Sequence, residues 1–283
     1  MAYGVAGERR IGESELPLAG YRGARPVRAG NDAVEQDQHD ELGEIVNLAW
    51  RRYLRGHVPD DDEWRFIASV VDAAAEVWRD PDRGFWEVRG EERHFVHSKA
   101  TCWSALDRGL RLGEALRRRV PAARWRRERD AAREAVLGDG FDEERGTFLQ
   151  VLGEPQLDST ALLLPVGGIV AWDDARMHTT VDAVREVLDD AGLLRRYEGD
   201  DGLPGREGAF LACSFWLVEC LARLGRHAEA REAYERAMCA ATPLGLFSEE
   251  LDTRTGEPAG NFPQGLTHLS HIAATIALRQ AGG

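Results

Sequence analysis

The chain has 283 residues, with 49 acidic against 36 basic side chains and a formal net charge of −13. Hydrophobic residues at 43% and charged residues at 30% describe a globular chain with one large domain or two modest ones, and exclude a disordered one. The acidic balance argues against nucleic acid, which needs clustered Lys and Arg to displace counterions, and favours a small neutral partner.

Residues 1–31 are rich in Gly, Arg and Pro without a sustained period, and form an irregular N-terminal segment. The opening MAYGVAGERRIGESELPL has no apolar run of the signal-peptide kind. No stretch approaches the about 18 uninterrupted apolar residues of a membrane span. From Asp32 a helical period sets in and continues, so residues 32–283 are expected to be one helical domain. Val34, Leu42, Ile45, Val46 and Ala49 mark the first apolar face, with Asn31 or Asp32 as N-cap. The second helix covers 60–78, with an acidic start and Trp64, Ile67, Val71 and Trp78 on one side. After a loop at 80–90 come helices at about 98–118 and 121–137, with Pro121 in the first turn of the latter. The basic run Arg117–Arg119, continued by Arg124, Arg126, Arg127 and Arg129, is interleaved with Glu114, Glu128, Asp130 and Glu134, so it is a solvated helix surface. A loop around 138–146 leads to further helices at 159–167, 174–191, 207–224, 228–241 and 263–279. Strand signals are confined to 147–152 and 194–197.

Amphipathic helices alternate with helices such as 209–221 (AFLACSFWLVECL), which are apolar all round. That alternation predicts helical hairpins in an inner and an outer layer: an all-α toroid or a solenoid. No fixed-length repeat of the tetratricopeptide type is present. The four cysteines, Cys102, Cys213, Cys220 and Cys239, show no C-x-x-C spacing. Cys213 and Cys220, seven apart, share a helix face as buried thiols. A reducing, cytoplasmic compartment is the simplest expectation.

The chemistry-bearing candidates lie in loops. In Asp82–Gly90 (DRGFWEVRG) a carboxylate follows a bulky aromatic beside glycines. A carboxyl group desolvated against Trp86 would have a raised pKa and could donate a proton near neutrality; the plainer alternative for Glu87 is a surface acid with an Arg partner. In Gly245–Asp252 (GLFSEELD), Glu249 and Glu250 suit a base whose neighbour tunes it, although Ser-Glu-Glu also reads as a helix N-cap with first-turn acids. Loops so far apart in sequence meet only if the helices curve into a ring. Asp201–Phe210 (DGLPGREGAF) is a Gly-Pro turn into an apolar helix, with Glu207 at its start. Gly260–His268 (GNFPQGLTH) enters the last helix. His94 and His97, and His268 and His271, have the spacing of one helix face and are taken as structural or cleft histidines, not metal ligands.

In order, GFWEVRG, HFVHSKATCWSALDRG, LPGREGAFLACSFWLVE, GLFSEELD and GNFPQGLTHL resemble glycoside hydrolase family 15, the glucoamylase and bacterial trehalase family. The upstream ELPLAGYRGARPVRAGNDAVEQDQHDELGE resembles it too, so the likeness runs from about Tyr3 to the C-terminus. The resemblance implies an incomplete (α/α)6 toroid of helical hairpins. The family's N-terminal β-sandwich, first hairpins and early aromatic-Arg-Asp sugar grip have no counterpart here. It implies that Glu87 is the general acid and Glu249 the general base of an inverting exo-glycosidase. The substrates implied are α-linked glucosides, namely trehalose, maltose or short α-glucans, and no cofactor is required. Inversion calls for carboxyls about 6.5–9.5 Å apart, with room for water. Trp86, Arg196, Glu207, Gln38 and Asp40 match cleft-lining positions. An open ring would leave apolar inner-helix surface exposed, which predicts a homo-oligomer or a complementing chain. The alternative is a truncated or repurposed relative that binds a carbohydrate, completes a split enzyme or runs other acid–base chemistry on a biosynthetic intermediate.

Overall fold

The computed structural model describes residues 12–23, 25–199 and 207–282. Its main helices are α1 (Asp40–Leu54), α2 (Asp61–Val77), α3 (Val96–Ala115), α4 (Ala122–Leu137), the short α5 (Leu164–Gly167), α6 (Ala175–Leu188), α7 (Leu211–Arg223), α8 (His227–Met238) and α9 (Gly265–Ala281). A 3-10 turn at Ser159–Leu163 leads straight into α5. Local chemistry starts several of these helices. Asp60 and Glu63 form a reciprocal capping box at α2, and the carboxylates of Asp158 and Asp174 accept from backbone N–H groups at the 159–163 turn and at α6.

The helices form two layers of hairpins, as their apolar patterns predict. α1, α3, the 159–167 segment, α7 and α9 pack side by side as an inner row, while α2, α4, α6 and α8 lie against its outside. α7 has buried side chains from Leu211 through Ala222, as its all-round apolar sequence requires. α8 buries only Ala230 and Ala237. The core is built on Trp64, Trp103, Trp125 and Leu106 at one end of the row, and on Trp86, Phe210, Trp216 and Leu221 at the other. Each fully buried large side chain contributes about 1.5–3 kcal/mol. α1 and α9 end the row, and both leave apolar side chains in the open: Leu48 is 60% exposed, Leu269 67% and Ile272 53%.

The connections divide sharply by length. Inner-to-outer links (55–60, 116–121, 168–174, 224–226) are short, whereas outer-to-inner links (78–95, 138–158, 189–210, 239–264) are long. Because successive helices alternate in direction, every long link ends at the N-terminus of an inner helix, at one end of the assembly.

These long links pair with one another in sequence order. Arg83 N donates to the Asp37 carbonyl (3.0 Å). Phe95 bridges Val151, and Asp158 bridges Tyr197. The strands β1 (Ser14–Leu16) and β2 (Val27–Ala29), β3 (Phe141–Asp142) and β4 (Thr147–Phe148), and β5 (Asp189–Asp190) and β6 (Leu193–Leu194) form two-stranded pairs, and β7 (Ala209–Phe210), β8 (Glu250–Asp252) and β9 (Glu257–Ala259) form a three-stranded sheet in the order β7-β8-β9. The loops are therefore one backbone-bonded layer.

Several boundaries differ from the sequence expectation, each for a tertiary reason. The first helix begins at Asp40, not Asp32; residues 32–35 form a 3-10 turn capped by Asn31. The cap of α1 comes from far away, since His39 N donates to Asp82 Oδ2 at 3.1 Å. The helix expected to reach 191 stops at Leu188, because 189–190 and 193–194 turn back as a two-stranded hairpin. The helix expected from 207 starts at Leu211, and Ser248-Glu249-Glu250 enters strand β8 instead of capping a helix. Within the segment expected to be irregular, 14–16 and 27–29 pair as an antiparallel hairpin. Cys213 and Cys220 are both buried free thiols, and Cys239 is exposed. No described helix is long and apolar enough to cross a membrane.

Candidate active site

The first acidic motif occupies a tight turn. Glu87 N bonds the Gly84 carbonyl (3.2 Å) and Val88 N the Arg83 carbonyl (3.2 Å), and Glu87 takes φ +53°. A positive φ is uncommon outside glycine. It turns the two neighbouring side chains apart: Trp86 goes into the core and Glu87 to the surface. Glu87 Oε2 accepts from Asn31 Nδ2 (3.0 Å), and its carbonyl accepts from Gln36 Nε2 (3.4 Å). It opens on a depression of about 360 Å³ lined also by Arg83, Arg89 and Glu92. The expected desolvation of Glu87 against Trp86 is not what the turn produces.

The carboxylate that meets Trp86 is Asp158. Trp86 Nε1 donates to Asp158 Oδ2 at 2.6 Å. Asp158 is 2% exposed, and burial pushes its carboxyl up to about 6 despite the hydrogen bonds from Thr160, Trp86 and Gln150 that pull it down. The Trp86 ring packs edge-on to Phe85 and Phe210, with centroids at 4.8 and 5.3 Å.

Arg196 lies over this aromatic group, its guanidinium carbon 5.2–5.5 Å from the Tyr197, Trp86 and Phe210 ring centres. It forms an ion pair with Glu207. Trp86, Arg196 and Glu207 are thus brought together as a group. The preceding Gly-Pro turn, 201–206, lies outside the described residues.

Glu249 is fixed by backbone. Its N donates to the Asn261 carbonyl (2.9 Å), its carbonyl accepts from Leu211 N (3.0 Å), and its Oε2 accepts from Asn261 N (2.8 Å). Gly260, at φ +68°, passes so close that a Cβ there would lie 2.6 Å from Glu249 Oε2. Glycine is required on both counts. Glu250 pairs with Phe210 across β7–β8, and Phe210 touches Trp86. The two acidic motifs therefore belong to one bonded layer through Trp86, Phe210 and β8, although the depression at Glu87 does not reach Glu249.

Gln38 is half-buried just before α1. Asp40, in the first turn of α1, is 7% exposed, and burial together with the Asp82 carboxylate pushes its carboxyl up to about 7. Asp82 itself is fully buried and accepts from Ser98 Oγ (2.7 Å). His97 is buried, and desolvation lowers it to about 4. Between the inner helices, His97, Trp216, Glu44, Glu219 and Leu269 line an apolar cavity of about 360 Å³. Among the described residues no cluster of three or more His, Cys, Asp or Glu is arranged to hold a metal.

Sequence reasoning missed Asp158, Gln36 and Asn261 as site-building residues. Asp158 carries a visible signal, Asp-Ser-Thr before a helical turn, but that signal predicts a cap, not an indole partner. The Glu249–Asn261 contacts carry no local signal.

A row of helical hairpins with its acids on a loop layer at the N-termini of the inner helices is the architecture of the helical-toroid glycosidases. The model of glycosyl hydrolases family 15 matches residues 1–238. A trehalase of Mycobacterium tuberculosis is 42% identical over 283 residues, which is 99% of this chain and 42% of that protein. A trehalase of Thermoplasma volcanium is 35% identical over 99% of this chain and 45% of its own length. Among solved structures, a wild-type glycosidase matches with TM-score 0.75 and 23% identity, over 93% of this chain and 74% of that one. A bacterial glucoamylase complexed with acarbose matches with TM-score 0.69 and 14% identity, over 86% and 41%. The chain belongs to glycosyl hydrolases family 15, and it spans less than half the length of these trehalases.

Proposed function

We propose that the chain carries the acid–base pair of an inverting exo-glycosidase acting on α-linked glucosides such as trehalose, maltose or short α-glucans. Glu87 protonates the leaving oxygen, and Glu249 takes a proton from water attacking the opposite face of the sugar. The observation that carries this reading is that the two acidic motifs share one loop layer, in which Trp86 packs edge-on against Phe210 and Phe210 pairs with Glu250 of β8. The relatives named trehalase support the substrate class, as does a structural neighbour, a glycosidase variant in complex with glucose (TM-score 0.75). Trp86, Arg196, Glu207, Gln38 and Asp40 are the proposed residues of the sugar cleft, and no cofactor takes part.

The test is glucose release from trehalose, maltose and isomaltose by the wild-type chain, Glu87→Gln and Glu249→Gln. Each variant is expected to lose at least about 100-fold in kcat with an unchanged melting temperature. A variant that keeps near-wild-type turnover removes that residue from its role. The open apolar sides of α1 and α9 favour a second reading, in which another chain completes the row before turnover begins. Wild-type protein inactive on all three sugars would move the weight there.

A further inference from the structure

The buried group that the acid–base scheme leaves unused is Asp158. Its Oδ2 accepts from Trp86 Nε1 at 2.6 Å and from Gln150 Nε2 at 3.4 Å, while its Oδ1 accepts from Thr160 N. Its backbone belongs to the neighbouring loop as well. Asp158 bridges Tyr197, Ser159 N donates to the Arg196 carbonyl at 2.8 Å, and Glu198 N donates to the Leu157 carbonyl at 3.0 Å. Ser159 Oγ completes the join on the Arg195 carbonyl (2.7 Å). One residue therefore fixes the polar edge of the indole that precedes Glu87 and the backbone that carries Arg196.

We infer that Asp158 is a positioning residue for the proposed acid: it locks the Trp86 indole, sets the direction in which Glu87 leaves the turn, and registers both against Arg196. The inference rests on the glycosidase reading for its consequence, but not for the contact itself. Aromatic neighbours confine the ring of Trp86, and among the described residues Asp158 receives its N–H. A buried N–H left without an acceptor pays its full desolvation penalty, which drives the ring to rotate towards another partner. Glu87 sits one residue on, at φ +53°, and among the described residues side-chain bonds from Asn31 and Gln36 hold it. Asparagine cannot replace Asp158. Donors reach both carboxylate oxygens, and an amide offers one acceptor, so either Trp86 or Thr160 would face an NH2 group.

Two measurements test this on the full chain. In protein labelled with 15N at tryptophan, Trp86→Phe identifies the Trp86 indole resonance. That resonance is expected downfield in wild type, to titrate near pH 6 as Asp158 protonates, and to move upfield and lose its titration in Asp158→Asn. The titratable neighbour facing Asp158 is the buried thiol of Cys213, which Arg196, paired with Glu207, also faces; Glu207→Gln therefore serves as the control and should leave the titration in place. An indole resonance insensitive both to Asp158→Asn and to pH from 4 to 8 overturns the contact. The wild-type titration needs no Asp158 variant, so a variant that fails to fold does not block the test.

On substrate, Asp158→Asn is expected to lower kcat about 30-fold with KM changed less than threefold. Its effect should be non-additive with Trp86→Phe, the double variant being no worse than the weaker single one. Additive losses, or activity within twofold of wild type, overturn the positioning role. If the wild-type chain by itself turns over none of the sugars, the inference stands or falls on the indole resonance alone.

Discussion

Replacing Asp40 with Asn should stabilise the protein, and more so at higher pH. The Asp40 carboxyl sits in the first turn of α1 at 7% exposure, and its Oδ1 has no hydrogen-bond partner among the described residues. Burial is the larger cause of its raised pKa and the Asp82 carboxylate the second; together they move it from 3.8 to about 7. With the folded pKa above the unfolded one, the folded state binds more protons through that window. Stability is therefore lost as pH rises from about 4 to 7 and stays lost above it. At about 1.4 kcal/mol per unit, a shift of about three units costs at most about 4 kcal/mol at pH 8, against about 1–2 kcal/mol at pH 5. Asn is neutral throughout and escapes this cost. Scanning calorimetry of both proteins should show a melting-temperature gain of up to about 10 °C at pH 8 and a few degrees at pH 5. A gain independent of pH, or a loss at pH 8, would refute the argument. Loss of turnover in the stabilised variant would show that the charge is kept for substrate.

Gly260→Ala should lower kcat by at least about tenfold while costing about 1 kcal/mol in stability, because its Cβ would meet the Glu249 carboxylate at 2.6 Å; steady-state kinetics and a melting curve separate the two effects. Glu128 is held well below the usual carboxylate range, at about 2, first by Arg79 and then by the Trp78 and Arg127 hydrogen bonds. Its stabilising effect is therefore present above about pH 4.5 and fades as pH falls towards 2. Glu128→Gln should cost about 1–3 kcal/mol at pH 7 and nothing near pH 2, measured by denaturant unfolding. The rate profile on any accepted glucoside should be bell-shaped, since one carboxyl must be protonated and the other ionised; a flat profile from pH 4 to 8 would remove the acid–base assignment.

The helical layers were legible because burial leaves a periodic trace: the sequence AFLACSFWLVECL admits no exposed face, and α7 has none from Leu211 to Ala222. The acidic motifs were legible as motifs, since Gly84, Trp86 and Glu87 stand together in the chain. What they contact was not. The cap of α1 comes from Asp82, the partner of the Trp86 indole from Asp158, and the donor to Glu249 from Asn261. The first two join different links, and the third spans twelve residues within one link; no local propensity encodes such pairing. The same blindness misplaced the desolvation. Adjacency to Trp86 suggested that Glu87 is the buried acid, but a positive-φ turn sends neighbouring side chains opposite ways.

That turn also separates the two proposed catalytic groups in kind. Glu249 sits beside a strand, with bonds on its N, its carbonyl and its carboxylate, and Gly260 closes the remaining side. Glu87 is exposed, and among the described residues its carboxylate has one side-chain bond, from Asn31. A base that must hold water on one face of a sugar gains from fixed geometry, because misplacement of about 1 Å can cost about 100-fold. An acid that follows a departing oxygen gains from a fixed root and a movable tip. Trp86, pinned by Asp158, supplies the root; the exposed side chain supplies the tip. Asn31→Ala should therefore lower kcat more than it weakens substrate affinity, because it frees the acid's tip and leaves the bonds of Glu249 untouched. A variant whose KM rises while kcat holds would mean that Asn31 serves substrate binding and not the acid's tip.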